Sequence, residues 1–135
     1  MSVFAGSTEL RCLCWAVVLG LVQLMVATAM ATHELGTAWN LSPRDKPAKP
    51  VSTVTGRMLR AFANFKETFV FFAVAVLAVT LLNKANTTSA LGAQIYVWAR
   101  LAYVPVYAAG ITVVRTLIWL VSLAGILMVL SAMLA

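Results

Sequence analysis

Long uncharged apolar runs, separated by short polar breaks, organise the chain. Cys12 to Thr32 is a run of 21 residues without a charge, enough to cross a hydrocarbon core of about 30 Å as a helix. The run exceeds the apolar stretch of an ordinary signal peptide, although Ala27-Thr28-Ala29 has the form of a cleavage site. A retained helix over 12–32 is the reading preferred to a cleaved signal. Ser42 to Pro50 then packs three prolines and four charges into nine positions. Proline removes backbone donors and clashes with the preceding turn, so 33–56 is expected to be a loop outside the hydrocarbon. A second helix is predicted over 57–82, its last 15 residues, Thr68 to Leu82, uncharged. Asn83 to Ser89 reads as a polar turn. A third helix is expected over 90–109, interrupted by Arg100 and Pro105, then a turn at Gly110. A fourth follows over 113–134, with 20 uncharged residues from Thr116 to Ala135.

Short connections make helices two, three and four antiparallel neighbours, so the pattern predicts an all-α membrane protein built as a four-helix antiparallel bundle, one domain over 1–135. Composition agrees: 62% of the 135 residues are apolar and only 10% charged, with mean hydropathy +0.94. A soluble domain is about a quarter charged, and a disordered one has too little to bury. The formal charge of +6 fits the positive-inside rule better than nucleic-acid binding, because the cations flank the apolar runs. Arg44, Lys46, Lys49, Arg57, Arg60 and Arg115 stand on one side, against Arg11 and Lys84 on the other. That asymmetry puts the first loop in the cytoplasm and both termini outside. Cys12 and Cys14 lie two apart on one helix, point to different sides, and are expected to be spectator thiols. A single His with two thiols in an apolar helix offers no metal site.

The polar residues inside the spans are the informative ones. Arg57, Arg60, Asn64 and Glu67 are spaced three, four and three apart and share one helix face. Tyr96, Arg100, Tyr103 and Tyr107 are spaced four, three and four, forming a second stripe. An ionised side chain at the centre of a membrane helix costs about 2.5–3.5 kcal/mol on insertion scales. Arg60, Glu67 and Arg100 should therefore face one another or a wet cavity. The bland alternatives are snorkelling arginines, belt aromatics at Tyr96 and Trp98, and a structural ion pair from Glu67 to Arg60 or Arg100.

The segment from Arg57 to Glu67 contains Arg60-Ala61-x-x-Asn64-x-x-Glu67, and Ala99-Arg100-Leu101-Ala102-Tyr103-Val104-Pro105-Val106-Tyr107 is followed by Val114-Arg115-Thr116 and Trp119. These motifs, on a frame of this length, resemble the MAPEG family, the membrane-associated proteins in eicosanoid and glutathione metabolism. The resemblance covers almost the whole chain, and the loops are similar to those of bacterial members, which suggests a bacterial inner membrane. It implies a homotrimer binding glutathione between subunits near the cytoplasmic face, and a lipophilic electrophile as second substrate. By position, Arg60, Asn64 and Glu67 would bind the carboxylates and amino group, and Tyr103, Tyr107 and Thr116 would line the same pocket. Arg115 would be the catalytic cation beside the sulfur, with Arg57 and Arg100 in support. A guanidinium there favours thiolate over thiol. Where active animal relatives carry a basic residue at the end of helix one, this chain has only His33. Two alternatives stand beside the transferase or peroxidase: a catalytically silent glutathione-binding scaffold, and a small multidrug-type transporter. The transporter needs an acid within helix one, and none lies between Glu9 and Glu34.

Overall fold

Ser7 starts the first helix: its hydroxyl accepts from the Leu10 amide at 3.3 Å, and Glu9 supplies an anion in the first turn. The computed structural model describes residues 7–45 and 48–135, so Lys46 and Pro47 of the proline-rich loop lie outside the described residues. Helix α1 spans Thr8–Leu35, beginning four residues before the uncharged run. Glu9 can enter the helix because it finds a partner: Ser89 donates to its Oε1 at 2.6 Å, and the carboxylate is buried.

The stretch expected to be one loop is more ordered than its prolines indicate. A single turn, α2 (Thr37–Asn40), follows Gly36, and Arg44 reaches back to Asn40 Oδ1 at 2.6 Å. Helix α3 spans Thr53–Leu81 and so starts before Arg57. Ser52 caps it, and the Glu34 carboxylate at the end of α1 accepts from the Ser52 amide, the Ser52 hydroxyl and the Thr55 hydroxyl. Helix α4 spans Thr87–Ala108, opened by a capping box between Asn86 and Ser89. It runs unbroken through Arg100 and Pro105, where interruption was expected. Helix α5 spans Thr112–Ser131 and ends in a 3₁₀ turn, Ala132–Leu134.

Three segments are long and apolar enough to cross a membrane: Thr8–Leu35, Thr53–Leu81 and Thr112–Leu134. Helix α4, carrying Gln94, Arg100 and three tyrosines, is not among them. The distribution of side chains is that of a protein solvated by lipid. Alanines, glycines and a few polar groups sit inside, among them Ala16, Ala61, Ala93, Gly92, Thr68 and Ser122, while Trp15, Met25, Phe71, Trp98 and Leu127 point outward. Lipid tails are as apolar as leucine, so large side chains gain little by turning inward and small ones let backbones approach.

Helices α3 and α4 form the central pair, with α1 packed on one side and α5 on the other. The closest approach joins α4 and α5, which run antiparallel through the short turn at Gly110. A Cβ placed on Gly92 would stand 2.6 Å from the Gly125 carbonyl oxygen, so only glycine permits the crossing at this distance. Phe72 of α3 stacks on Tyr96 of α4 with ring centroids 4.0 Å apart, and the Tyr96 hydroxyl bonds to Thr68 at 2.9 Å. That join fixes the register of α3 against α4 and hence the two polar stripes.

Candidate functional site

Arg60, Asn64 and Glu67 recur at helical spacing, so α3 presents them along one wall of a cleft. Helix α4 brings Tyr103 and Tyr107, and the first two turns of α5 bring Arg115, Thr116 and Trp119. The cleft encloses about 410 Å³, with Ala63 completing its lining. The seven residues singled out in sequence as ligand-facing or catalytic are therefore brought together from three helices.

Tyr107 is the centre of this arrangement. Arg60 Nε donates to its hydroxyl at 3.1 Å, and the Arg115 guanidinium lies 4.9 Å from its ring centroid. Cations from α3 and α5 thus engage one aromatic ring on α4, the Arg115 contact through the ring's quadrupole. Tyr103 lies 5.6 Å from Tyr107 between centroids, its ring tilted by 52°. Asn64 Oδ1 is buried and has no hydrogen-bond partner among the described residues. The Thr116 hydroxyl donates to the Thr112 carbonyl at 3.2 Å, leaving its oxygen as an acceptor. Arg60 and Glu67 are exposed at the mouth.

The profile of the MAPEG family matches residues 12–135. The chain belongs to the MAPEG family. Neither curated proteins nor solved structures give a significant match. Together with the three apolar helices, membership makes this an integral membrane protein.

In this MAPEG chain three residues of the stripes stand apart from the cleft: Tyr96, which packs in the core, Arg57 and Arg100. Arg57 donates to the Ala108 carbonyl at 3.2 Å, capping the end of α4, where the backbone's partial negative charge gathers. Its guanidinium packs against Gly110, whose φ of +79° lies in the left-handed region and whose missing Cβ leaves the room. Arg100 is 1% exposed and sits behind Tyr103, with its guanidinium 4.1 Å from that ring centroid and 5.9 Å from Phe65. None of its three nitrogens has a hydrogen-bond partner among the described residues. The expected alternatives for Arg100, an ion pair with Glu67 or a wet cavity, are replaced by an aromatic cage.

Trp119 follows Arg115 and Thr116 in the α5 motif and also lines the cleft, a place the motif alone does not assign it. Its spacing of four from Arg115 and three from Thr116 was the available signal. Ala63 has no such signal, since its importance is only that a larger side chain would fill the cleft. Cys12 and Cys14 are both free, the first buried and the second exposed.

Proposed function

We propose that this protein is a glutathione-dependent transferase or peroxidase acting on lipophilic electrophiles that partition from the bilayer. The observation carrying the reading is the cleft with Arg60, Asn64, Glu67, Tyr107 and Arg115 on its walls. Glutathione carries two carboxylates, an ammonium and amides. Two guanidiniums, one carboxylate and an amide side chain match that inventory. The volume is also of the order of small-molecule pockets, roughly 300–1,000 Å³.

When bound, glutathione supplies the thiol that becomes the nucleophile. The chain's own residues orient and bias it. Arg60 and Glu67 meet charges of opposite sign at the mouth, and Asn64 lines the wall between them. Arg115, positioned on the Tyr107 ring, favours the thiolate, each unit of lowered pKa corresponding to about 1.36 kcal/mol. Trp119 lines the same cleft. The same reading includes four antiparallel crossings, α4 being the fourth, and a homotrimer in which a neighbouring subunit closes the cleft over the exposed Arg60 and Glu67. The first loop faces the cytoplasm and the termini lie outside, in a bacterial inner membrane. The cation asymmetry and the bacterial-type loops support that placement.

Calorimetric titration of detergent-purified protein with glutathione, with an ultraviolet scan for thiolate near pH 7, tests this. The expected result is binding with a thiolate band that Arg115→Ala abolishes, and binding weakened about tenfold or more in Asn64→Leu and Glu67→Ala. Binding without the band in the wild type would leave a silent pocket in place of an enzyme. No binding would refute the reading outright.

A further inference from the structure

Of the three tyrosine hydroxyls along the α4 stripe, the protein engages two. The Tyr96 hydroxyl bonds to Thr68 at 2.9 Å in the core, and the Tyr107 hydroxyl accepts from Arg60 Nε at 3.1 Å. Tyr103 differs. It lines the polar cleft, and its hydroxyl has no hydrogen-bond partner among the described residues. Yet that hydroxyl is not one of the buried polar atoms stranded without a partner, so it is reachable from the cleft. The ring behind it carries a cation. Arg100, one turn earlier on α4, holds its guanidinium 4.1 Å from the Tyr103 centroid, and Phe65 lies 5.9 Å from the same guanidinium.

Stability does not account for this cation. None of its three nitrogens is hydrogen-bonded among the described residues, so no described carboxylate is bonded to it. Burying an ionised side chain in a membrane bundle costs more than contact with two rings returns. An apolar chain of similar volume would fill the same space without that cost. A charge kept at a net loss of stability, against a residue on the wall of a site, points to function. Electrostatics give the role. A positive charge on the face of a phenol favours negative charge on its oxygen, which makes the O–H a stronger donor. Arg115 stands over the Tyr107 ring in the same manner, at 4.9 Å, so both cleft tyrosines carry a guanidinium on the ring. Arg100 cannot reach a ligand itself, because its nitrogens are sealed from the cleft. Its influence on the cleft passes through Tyr103.

We infer that Arg100 is a positioning residue for the cleft: acting through the Tyr103 ring, it strengthens the hydrogen bond that the Tyr103 hydroxyl donates to an anionic atom of the bound peptide thiol, its sulfur or a carboxylate. The inference rests on the glutathione reading above and adds to it a residue that never touches the ligand.

The test is calorimetry on the full chain in detergent micelles, with glutathione and with S-methylglutathione, which keeps the carboxylates and removes the ionisable sulfur. Wild type, Arg100→Met, Tyr103→Phe and the double variant are compared, and unfolding in dodecyl sulfate is measured in parallel. Tyr103→Phe keeps the ring and its cation contact but removes the hydroxyl, and should weaken glutathione about tenfold. Arg100→Met should weaken it about fivefold while unfolding at no lower denaturant. In the Tyr103→Phe background, Arg100→Met should change affinity less than about twofold, because the route through the hydroxyl is gone. A loss confined to glutathione makes the acceptor the sulfur, and a loss shared with S-methylglutathione makes it a carboxylate. Unchanged affinity in Arg100→Met, or full additivity in the double variant, overturns the inference and leaves the glutathione reading in place. A loss of affinity matched by a loss of stability in Arg100→Met does the same, since it makes the cation structural. Absence of glutathione binding in the wild type refutes that reading and this inference with it.

Discussion

Replacing Gly125 probes the α4–α5 crossing that frames the cleft. A Cβ at Gly125 would stand 2.7 Å from the Gly92 carbonyl oxygen, about 0.7 Å inside the 3.4 Å at which ordinary contact begins. The Tyr96 amide nitrogen, at 2.9 Å, is equally unable to move, because both obstacles are backbone. In Gly125→Ala the helices must separate by several tenths of an ångström. A gap of that size forfeits about a third of each contact's attraction, and with about two dozen atom pairs at about 0.15 kcal/mol the loss is about 1 kcal/mol. Helix propensity returns nearly as much, so the alanine variant should be close to neutral. Gly125→Leu has almost the same propensity gain but forces a much wider separation, and should lose about 2 kcal/mol or more. Gly56→Ala is the control: its Cβ meets the end of the flexible Arg60 side chain at 3.1 Å and Val51 at an ordinary 3.8 Å, and about 0.5–1 kcal/mol of stabilisation is expected. Reversible unfolding in mixed micelles, titrated with dodecyl sulfate and followed by circular dichroism, measures all three. A Gly125 series that follows helix propensity alone, with leucine at least as stable as glycine, would refute the close-approach argument.

Ser89→Ala removes the hydroxyl that Glu9 Oε1 accepts from and half of a capping box, and should cost about 2 kcal/mol. A double-mutant cycle with Glu9→Ala should return a coupling of at least about 0.5 kcal/mol, and additivity would show the buried contact to be idle. Arg100→Met exchanges a buried cation, whose burial costs about 2.5–3.5 kcal/mol, for an apolar chain, while losing cation–π contacts of about 2 kcal/mol. The variant should therefore unfold at slightly higher denaturant, and a large destabilisation would make the aromatic cage the stronger term. Gly110→Ala forces an L-residue to φ +79° and sets a Cβ 2.7 Å from Arg57, so a loss above about 1 kcal/mol is expected. In an Arg57→Ala background the steric part of that loss should vanish and the backbone part remain.

Local periodicity explains why so much of the cleft was legible beforehand. Arg60, Asn64 and Glu67 share a face because the helix repeats every 3.6 residues, whatever packs against it. The same rule cannot say what covers a face. Tyr96, Arg100, Tyr103 and Tyr107 form one stripe, yet the stripe passes from the core at Tyr96, through the cage at Arg100, to the cleft at Tyr107. Arg57 continues the α3 stripe by one turn and meets the end of α4 instead of the cavity. Helix ends were misplaced for a related reason. Glu9 and Thr53 were left outside helices because charge and proline density dominate a local reading, whereas Ser89 and Glu34 satisfy those ends from distant positions.

The residues by themselves determined the class of protein, the long apolar helices and the membership of two polar stripes, since hydrophobic content and helical period are properties of the chain alone. Tertiary structure decided which stripe residues face the cleft, why Gly92 and Gly125 are glycines, and that Arg100 is buried against the Tyr103 ring. Those facts depend on what the neighbouring helix brings. A side chain's partner across a membrane interior is chosen by packing geometry, which no local pattern encodes.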